Sequence, residues 1–197
     1  MIKYVKKKIE NFKKKSLVGQ IGDVFFLLLI IMFLMPNGRV MMQRTMLYSG
    51  LFNKTVTTDN ILLTTKDLTW QLEDFDGKPI QLEELTDKPV FLNFWATWCP
   101  PCRAEMPSIT ELYKLKKEEV NFVFISNEPK EKIAAFMNKN GYDLPLYFAR
   151  TQTPEALYST TLPTTVVIDK NNTIVHKSNG MHHWSSDASI AFIEDLQ

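Results

Sequence analysis

Residues 91–107 read FLNFWATWCPPCRAEMP. The opening of this stretch, with Val90 before it, is apolar on alternate and intervening positions alike, which suits a central strand covered on both faces. From residue 103 to 117, apolar side chains fall at Met106, Ile109, Leu112, Tyr113 and Leu115, a helical spacing. Strand and helix meet at Cys99-Pro100-Pro101-Cys102, and these are the only two cysteines of the chain. At a helix start, Cys99 faces unpaired N–H groups and the positive end of the helix dipole, both of which favour a thiolate. The thiolate is the nucleophile of disulfide exchange. Two intervening residues let Cys102 come back within bonding distance. The pair could also be half a zinc site, but only His176, His182 and His183 offer further imidazoles. As a purely structural bridge it would close a very short loop, a weak staple. Dithiol redox chemistry is the reading these residues favour, with no metal site and no cofactor expected.

Outward from this junction the pattern alternates. Residues 68–74 and 80–82 flank Asp76-Gly77, a hairpin signal. Residues 121–126 (NFVFIS) predict a strand, and 130–140 a helix with Gly141 at its C-terminal cap. A short strand is expected at 146–148 and one or two helical turns at 154–159. Strands at 164–169 and 173–177, joined by Lys170-Asn171-Asn172, form an antiparallel pair. Ser185 or Ser186 caps a last helix, with Asp187 in its first turn.

The 91–107 segment resembles the membrane-anchored TlpA/ResA/CcmG-like thiol–disulfide oxidoreductases, from about residue 68 to 196. The resemblance implies an α/β fold: a thioredoxin-like mixed central sheet with helices on both faces. An N-terminal β-hairpin and an N-terminal membrane-anchor helix precede it. The resemblance makes Cys99 the attacking cysteine and Cys102 the resolving one. It matches Pro107 to the proline inside the first helix, and Leu162-Pro163-Thr164 to the cis-proline loop that faces the dithiol. Thioredoxin itself has a buried Asp on the central strand; Asn93 stands at that position and cannot titrate. Glu105 lies one helical turn after Cys102 on the same face and matches the acidic residue of the TlpA/ResA-like pattern. It is the candidate to exchange a proton with Cys102, against the alternative of a solvated helix-face acid.

Pro100 suits the first helical position, where an N–H is spare. Pro101 removes a second donor that could have faced the Cys99 thiolate, so the dithiol is expected to be less oxidising. Trp98 is expected to cover the sulfurs or meet the partner, and Trp95 to be core. His182 and His183, if on a strand, would point to opposite faces; a loop near the active-site end is the expectation for residues 180–184.

The net charge of +1 hides an asymmetry: residues 1–54 carry +8 and residues 55–197 carry −7. A basic head on an acidic body argues against nucleic acid as a partner and for a head at a membrane surface. The expected division is a basic cytoplasmic N-terminus (1–23), an anchor core (24–35, or about 17–36 if extended), a juxtamembrane segment and linker (36–66), and the thioredoxin-like domain (67–197). The twelve apolar residues 24–35 rise only about 18 Å as helix, short of a hydrocarbon core of about 30 Å. Extension back to Leu17 takes in Gly19, Gln20, Gly22 and Asp23. A cleaved signal or an interfacial helix would share much of this pattern. Lysines concentrated before the run put the N-terminus in the cytoplasm and the catalytic domain outside, on the periplasmic side of the inner membrane.

The expected activity is that of an extracytoplasmic thiol–disulfide oxidoreductase acting as a reductase. Oxidised protein thiols are its substrates and a membrane-bound electron donor its source. In relatives the targets include apocytochrome c, so cytochrome c maturation and general envelope redox homeostasis are both open. Three alternatives stand beside it. A disulfide-forming oxidase would share the site. A Cu(I)-handling module of this fold usually adds a histidine and a different cysteine spacing. A thiol peroxidase would need two residues between Thr and Cys, where Thr97-Trp98-Cys99 has one.

Overall fold

The computed structural model describes residues 16–49 and 60–196. The lysines at positions 3–15 and the linker stretch 53–59 lie outside the described residues. The chain divides into two units, Met1–Met42 and Gln43–Gln197.

In the first unit, Leu17–Leu34 forms helix α1. Ser16 caps it, its hydroxyl accepting from the Gly19 N–H at 3.3 Å. The helix therefore takes the longer of the two expected limits and includes Asp23. Its 18 residues rise about 27 Å, close to the thickness of a hydrocarbon core. None of its residues is buried. It is the one helix among the described residues long and apolar enough to cross a membrane. Met35 is extended, as the residue before a proline tends to be, and helix α2 (Pro36–Tyr48) follows. Gly38 is required at this corner, because a Cβ there would lie 2.0 Å from the Met32 carbonyl oxygen.

The second unit begins within α2. It continues with β1 (Ile61–Leu62), α3 (Thr65–Leu68), β2 (Gln71–Asp74), β3 (Pro79–Gln81), a 3-10 turn (Leu82–Leu85) and β4 (Val90–Phe94). Then come α4 (Pro100–Lys116), β5 (Asn121–Ile125), α5 (Lys130–Asn140), β6 (Leu146–Ala149), β7 (Thr164–Ile168), β8 (Thr173–Asn179) and α6 (Asp187–Glu194). The strands form one mixed sheet in the order β1-β8-β7-β4-β5-β6-β2-β3. β4, β5 and β6 are parallel and the other pairings antiparallel.

Two boundaries differ from expectation. The sheet begins at Ile61, ahead of the expected domain start at residue 67, because Ile61 and Leu62 pair with Ile174 and Thr173 of β8. Residues 68–74 are not one strand. Thr64 accepts from the Asp67 N–H at 3.3 Å while the Asp67 carboxylate accepts from the Thr64 N–H at 2.9 Å, a capping box that starts a helical turn instead. Residues 154–159 hold one helical turn, as expected, with Tyr158 N to Pro154 O at 2.8 Å. The hairpin itself is as expected: β2 and β3 pair antiparallel across Gly77, whose φ of 87° suits glycine. It continues the sheet through β6.

Alternation along β4 sorts the core. Phe91 joins Phe122, Phe124, Val167 and Val175 beneath Met106, Ile109 and Leu112 of α4, Ile133 and Met137 of α5, and Ile193 of α6. Val90 and Leu92 face the opposite way, with Val123, Ile125, Val166 and Ile168. That face is covered by Trp70, Leu82, Leu85 and Leu157, so the three long helices share one face and shorter segments, α3 among them, cover the other. Helix α5 stops at Gly141 (φ 67°), with Tyr142 N returning to the Met137 carbonyl at 3.1 Å.

Candidate active site

The parallel β4 and antiparallel β7 bring two loops to one end of the sheet. Phe94 pairs with Thr164, so the chain leaving β4 toward Cys99 and the chain entering β7 from Pro163 lie side by side. Cys99 is the N-cap of α4. It is disulfide-bonded to Cys102 (S–S 2.09 Å), and the Cys102 N–H donates to Cys99 Sγ at 3.2 Å. Pro100 and Pro101 occupy the first two helical positions and bring no donor. Both cysteines are buried, and Trp98 beside them is 65% exposed. Trp95 is 2% exposed and packs on Phe136, ring centroids 5.6 Å apart. Trp95 is thus core, as its position suggested.

The Leu162–Pro163 bond is cis. Thr164 fixes this loop: its Oγ1 lies 2.8 Å from the Thr161 carbonyl, 2.9 Å from Ser159 Oγ and 2.7 Å from Asn179 Oδ1. The Pro163 carbonyl accepts from the Gly180 N–H at 2.8 Å. Leu162 and Trp98 line one cavity of about 220 Å³ together with Phe94, Trp95, Ala96 and Glu128.

Glu105 is 1% exposed, so the solvated alternative does not hold. Its Oε1 accepts from Asn93 Nδ2 at 3.1 Å and its Oε2 from the His182 N–H at 3.1 Å. Asn93 Nδ2 also donates to Thr165 Oγ1 at 2.9 Å. Burial pushes the Glu105 carboxyl up to about 8. The His182 N–H, the Asn93 amide and the nearby Trp184 indole oppose that rise without cancelling it. His182 itself is pushed down to about 4, first by burial and then by His176 and His183. Its Nε2 lies 2.9 Å from Ser189 Oγ. His182 and His183 follow the end of β8 in a loop, so the opposite-faces rule of a strand does not apply to them.

Glu128 is a site residue that sequence reasoning missed. Its carboxylate accepts from the Thr97 N–H at 2.5 Å and from Thr97 Oγ1 at 2.9 Å, and it pairs with Lys132. Burial raises its pKa, but Lys132 and the Thr97 bonds outweigh burial and hold it below the ordinary carboxylate value. The available signal was positional: Glu128 follows β5, and in such sheets the ends of parallel strands carry the site.

Residues 64–177 match the AhpC/TSA family. The thiol–disulfide oxidoreductase ResA of Bacillus anthracis is 34% identical over 137 residues, covering 68% of this chain and 78% of that protein. The chain belongs to the TlpA/ResA/CcmG-like thiol–disulfide oxidoreductases. Halalkalibacterium halodurans ResA is 38% identical over 112 residues, 55% of this chain and 64% of its own length. Among solved structures, the thiol:disulfide interchange protein of Chlorobium tepidum superposes with a TM-score of 0.56 at 25% identity, covering 73% of this chain and 98% of that one. As a member of this ResA-like family, the chain is a thioredoxin-like oxidoreductase with its cysteine pair at the strand-to-helix junction.

Proposed function

We propose that the protein is an extracytoplasmic reductase of protein disulfides that works through a mixed disulfide. The Cys99 thiolate attacks a sulfur of the substrate disulfide; that S–S bond breaks and one substrate thiolate leaves. Cys102 then gives its proton to Glu105 and attacks Cys99 Sγ, releasing the second substrate thiolate. The Cys99–Cys102 disulfide remains, and two electrons have passed to the substrate. A membrane-bound donor returns two electrons to the pair.

The observation that carries this reading is Glu105, fully buried one helical turn after Cys102, its carboxylate accepting from the Asn93 amide and the His182 N–H. A carboxyl with a pKa near 8 can take the thiol proton and keep it, which is the state expected after resolution. The direction follows from the two prolines. With no N–H on Pro100 or Pro101, the Cys99 thiolate gains fewer donors, which weakens the oxidised form's drive to become dithiol. Leu162 and Trp98 are the rim that receives the substrate chain, with the buried Pro163 and Thr164 shaping the loop behind them and Pro100 and Pro101 at the helix start. Thr97 speaks against a peroxidase, since its hydroxyl is committed to Glu128 and not to a cysteine.

In the cell, the residues before α1 stay in the cytoplasm, α1 is the anchor of the inner membrane and the domain from about residue 61 works outside. Oxidised cysteine pairs of envelope proteins are the substrate class, apocytochrome c before haem attachment included. The test is single-turnover reduction of a model disulfide. Cys102→Ala should accumulate the mixed disulfide. Glu105→Gln should form it at the normal rate and resolve it at least about tenfold more slowly. An unchanged resolution rate removes Glu105 from the proton step.

A further inference from the structure

The C-terminal end of α2 with Ser49 after it, residues 43–49, lies in the same unit as the catalytic domain. Its contacts fall on the two segments that build the site. Pro107 sits inside α4 and has no N–H to offer the carbonyl four residues earlier, that of Arg103. Arg44 supplies a donor there: its Nη2 lies 3.1 Å from the Arg103 carbonyl oxygen and 3.4 Å from Tyr142 Oη. Arg103 directly follows the resolving Cys102. One helical turn further along this segment, Tyr48 packs edge-on against His183, ring centroids 4.3 Å apart. His183 is the neighbour of His182, whose N–H holds Glu105. Between these two contacts Leu47 is fully buried.

We propose that residues 43–49 are a docked arm that positions the active site, with Arg44 as a positioning residue for the first turns of α4. The arm does two things. It returns to α4 the hydrogen bond that Pro107 withdraws, and with it a positive charge at the Arg103 carbonyl, in the first turns of the helix. It also bears on the loop that presents the His182 N–H to Glu105. A fixed cation near the start of α4 favours the thiolate form of the dithiol over the uncharged disulfide. The segment that connects anchor to domain is therefore part of the catalytic unit rather than a passive tether.

The test uses the full chain in detergent micelles. Arg44→Met keeps the apolar stem and removes the donor and the charge; Arg44→Lys restores both in part. The readout is the equilibrium constant of the Cys99–Cys102 pair against dithiothreitol, which does not depend on the role given to Glu105. Arg44→Met should shift that equilibrium about threefold toward the disulfide, and Arg44→Lys should recover most of the shift. Equal constants in all three proteins would overturn the proposal. Hydrogen exchange on the unmodified chain serves if a variant does not fold. Amides of 43–49 should exchange as slowly as those of α4, and exchange at open-chain rates would equally overturn it.

Discussion

Glu105 and His182 are both held neutral by burial, and they pull stability in opposite directions with pH. Between the ordinary carboxyl value of 4.5 and about 8, the folded protein keeps a proton on Glu105 that the unfolded chain has released. Stability therefore falls as pH rises through that window. Between about 4 and 6.5, the unfolded chain keeps a proton on His182 that the folded protein lacks, so this group makes stability rise with pH. The two effects offset each other from 4.5 to 6.5, and from 6.5 to 8 Glu105 acts alone. The denaturation midpoint of the oxidised protein should decline over that upper range, and Glu105→Gln should remove the decline. An equal decline in the variant would mean that Glu105 is already ionised in the folded state. The residue was legible in sequence as the position three after Cys102, but its environment was not. Asn93 could be recognised as a non-titrating residue on β4, but its bond to Glu105 could not, and the His182 N–H comes from a loop 77 residues away, a contact that no local spacing encodes.

At the scale of elements, the loop between β4 and α4 is held from β5's side. Glu128 accepts both polar groups of Thr97, and Lys132, one turn into α5, neutralises it. Hydrogen bonds to a charged acceptor contribute more than neutral ones, so Glu128→Gln should lower stability by about 1–2 kcal/mol. It should also loosen Trp98, which acrylamide quenching of tryptophan fluorescence would register, since the other three tryptophans are buried. No change in either measurement would leave Thr97 held by its backbone alone. Elements with a strong period or a chemical stop were legible: β4, β5, α4 and α5 with its Gly141 cap follow directly from their side chains. The segments around residues 61–68 were not. Ile61-Leu62 is too short for a period, and it becomes a strand only because β8 offers an open edge. The Thr64–Asp67 capping box was present in the sequence, but it sits inside a run rich in Thr and Asn that reads as linker. The unequal covering of the two sheet faces was also hidden, because it depends on which side each crossover takes.

At the scale of the whole molecule, a helix of membrane-spanning length lies within the basic residues 1–54 (+8), seven lysines before it, and the remainder carries −7. That arrangement predicts a fixed topology: a membrane-impermeant maleimide should label the reduced cysteines in intact spheroplasts, while a cysteine introduced at Ser16 should be labelled only after lysis. Labelling of both in intact spheroplasts would contradict the anchored reading. The central claim is that this buried Pro-Pro dithiol donates electrons rather than withdrawing them, and the reduction potential of the Cys99–Cys102 pair tests it most directly. Thiol trapping of the full chain across dithiothreitol or glutathione buffers should give a value well below about −200 mV, among the reducing members of the thioredoxin fold. A value near about −120 mV would make the protein an oxidant and contradict the account.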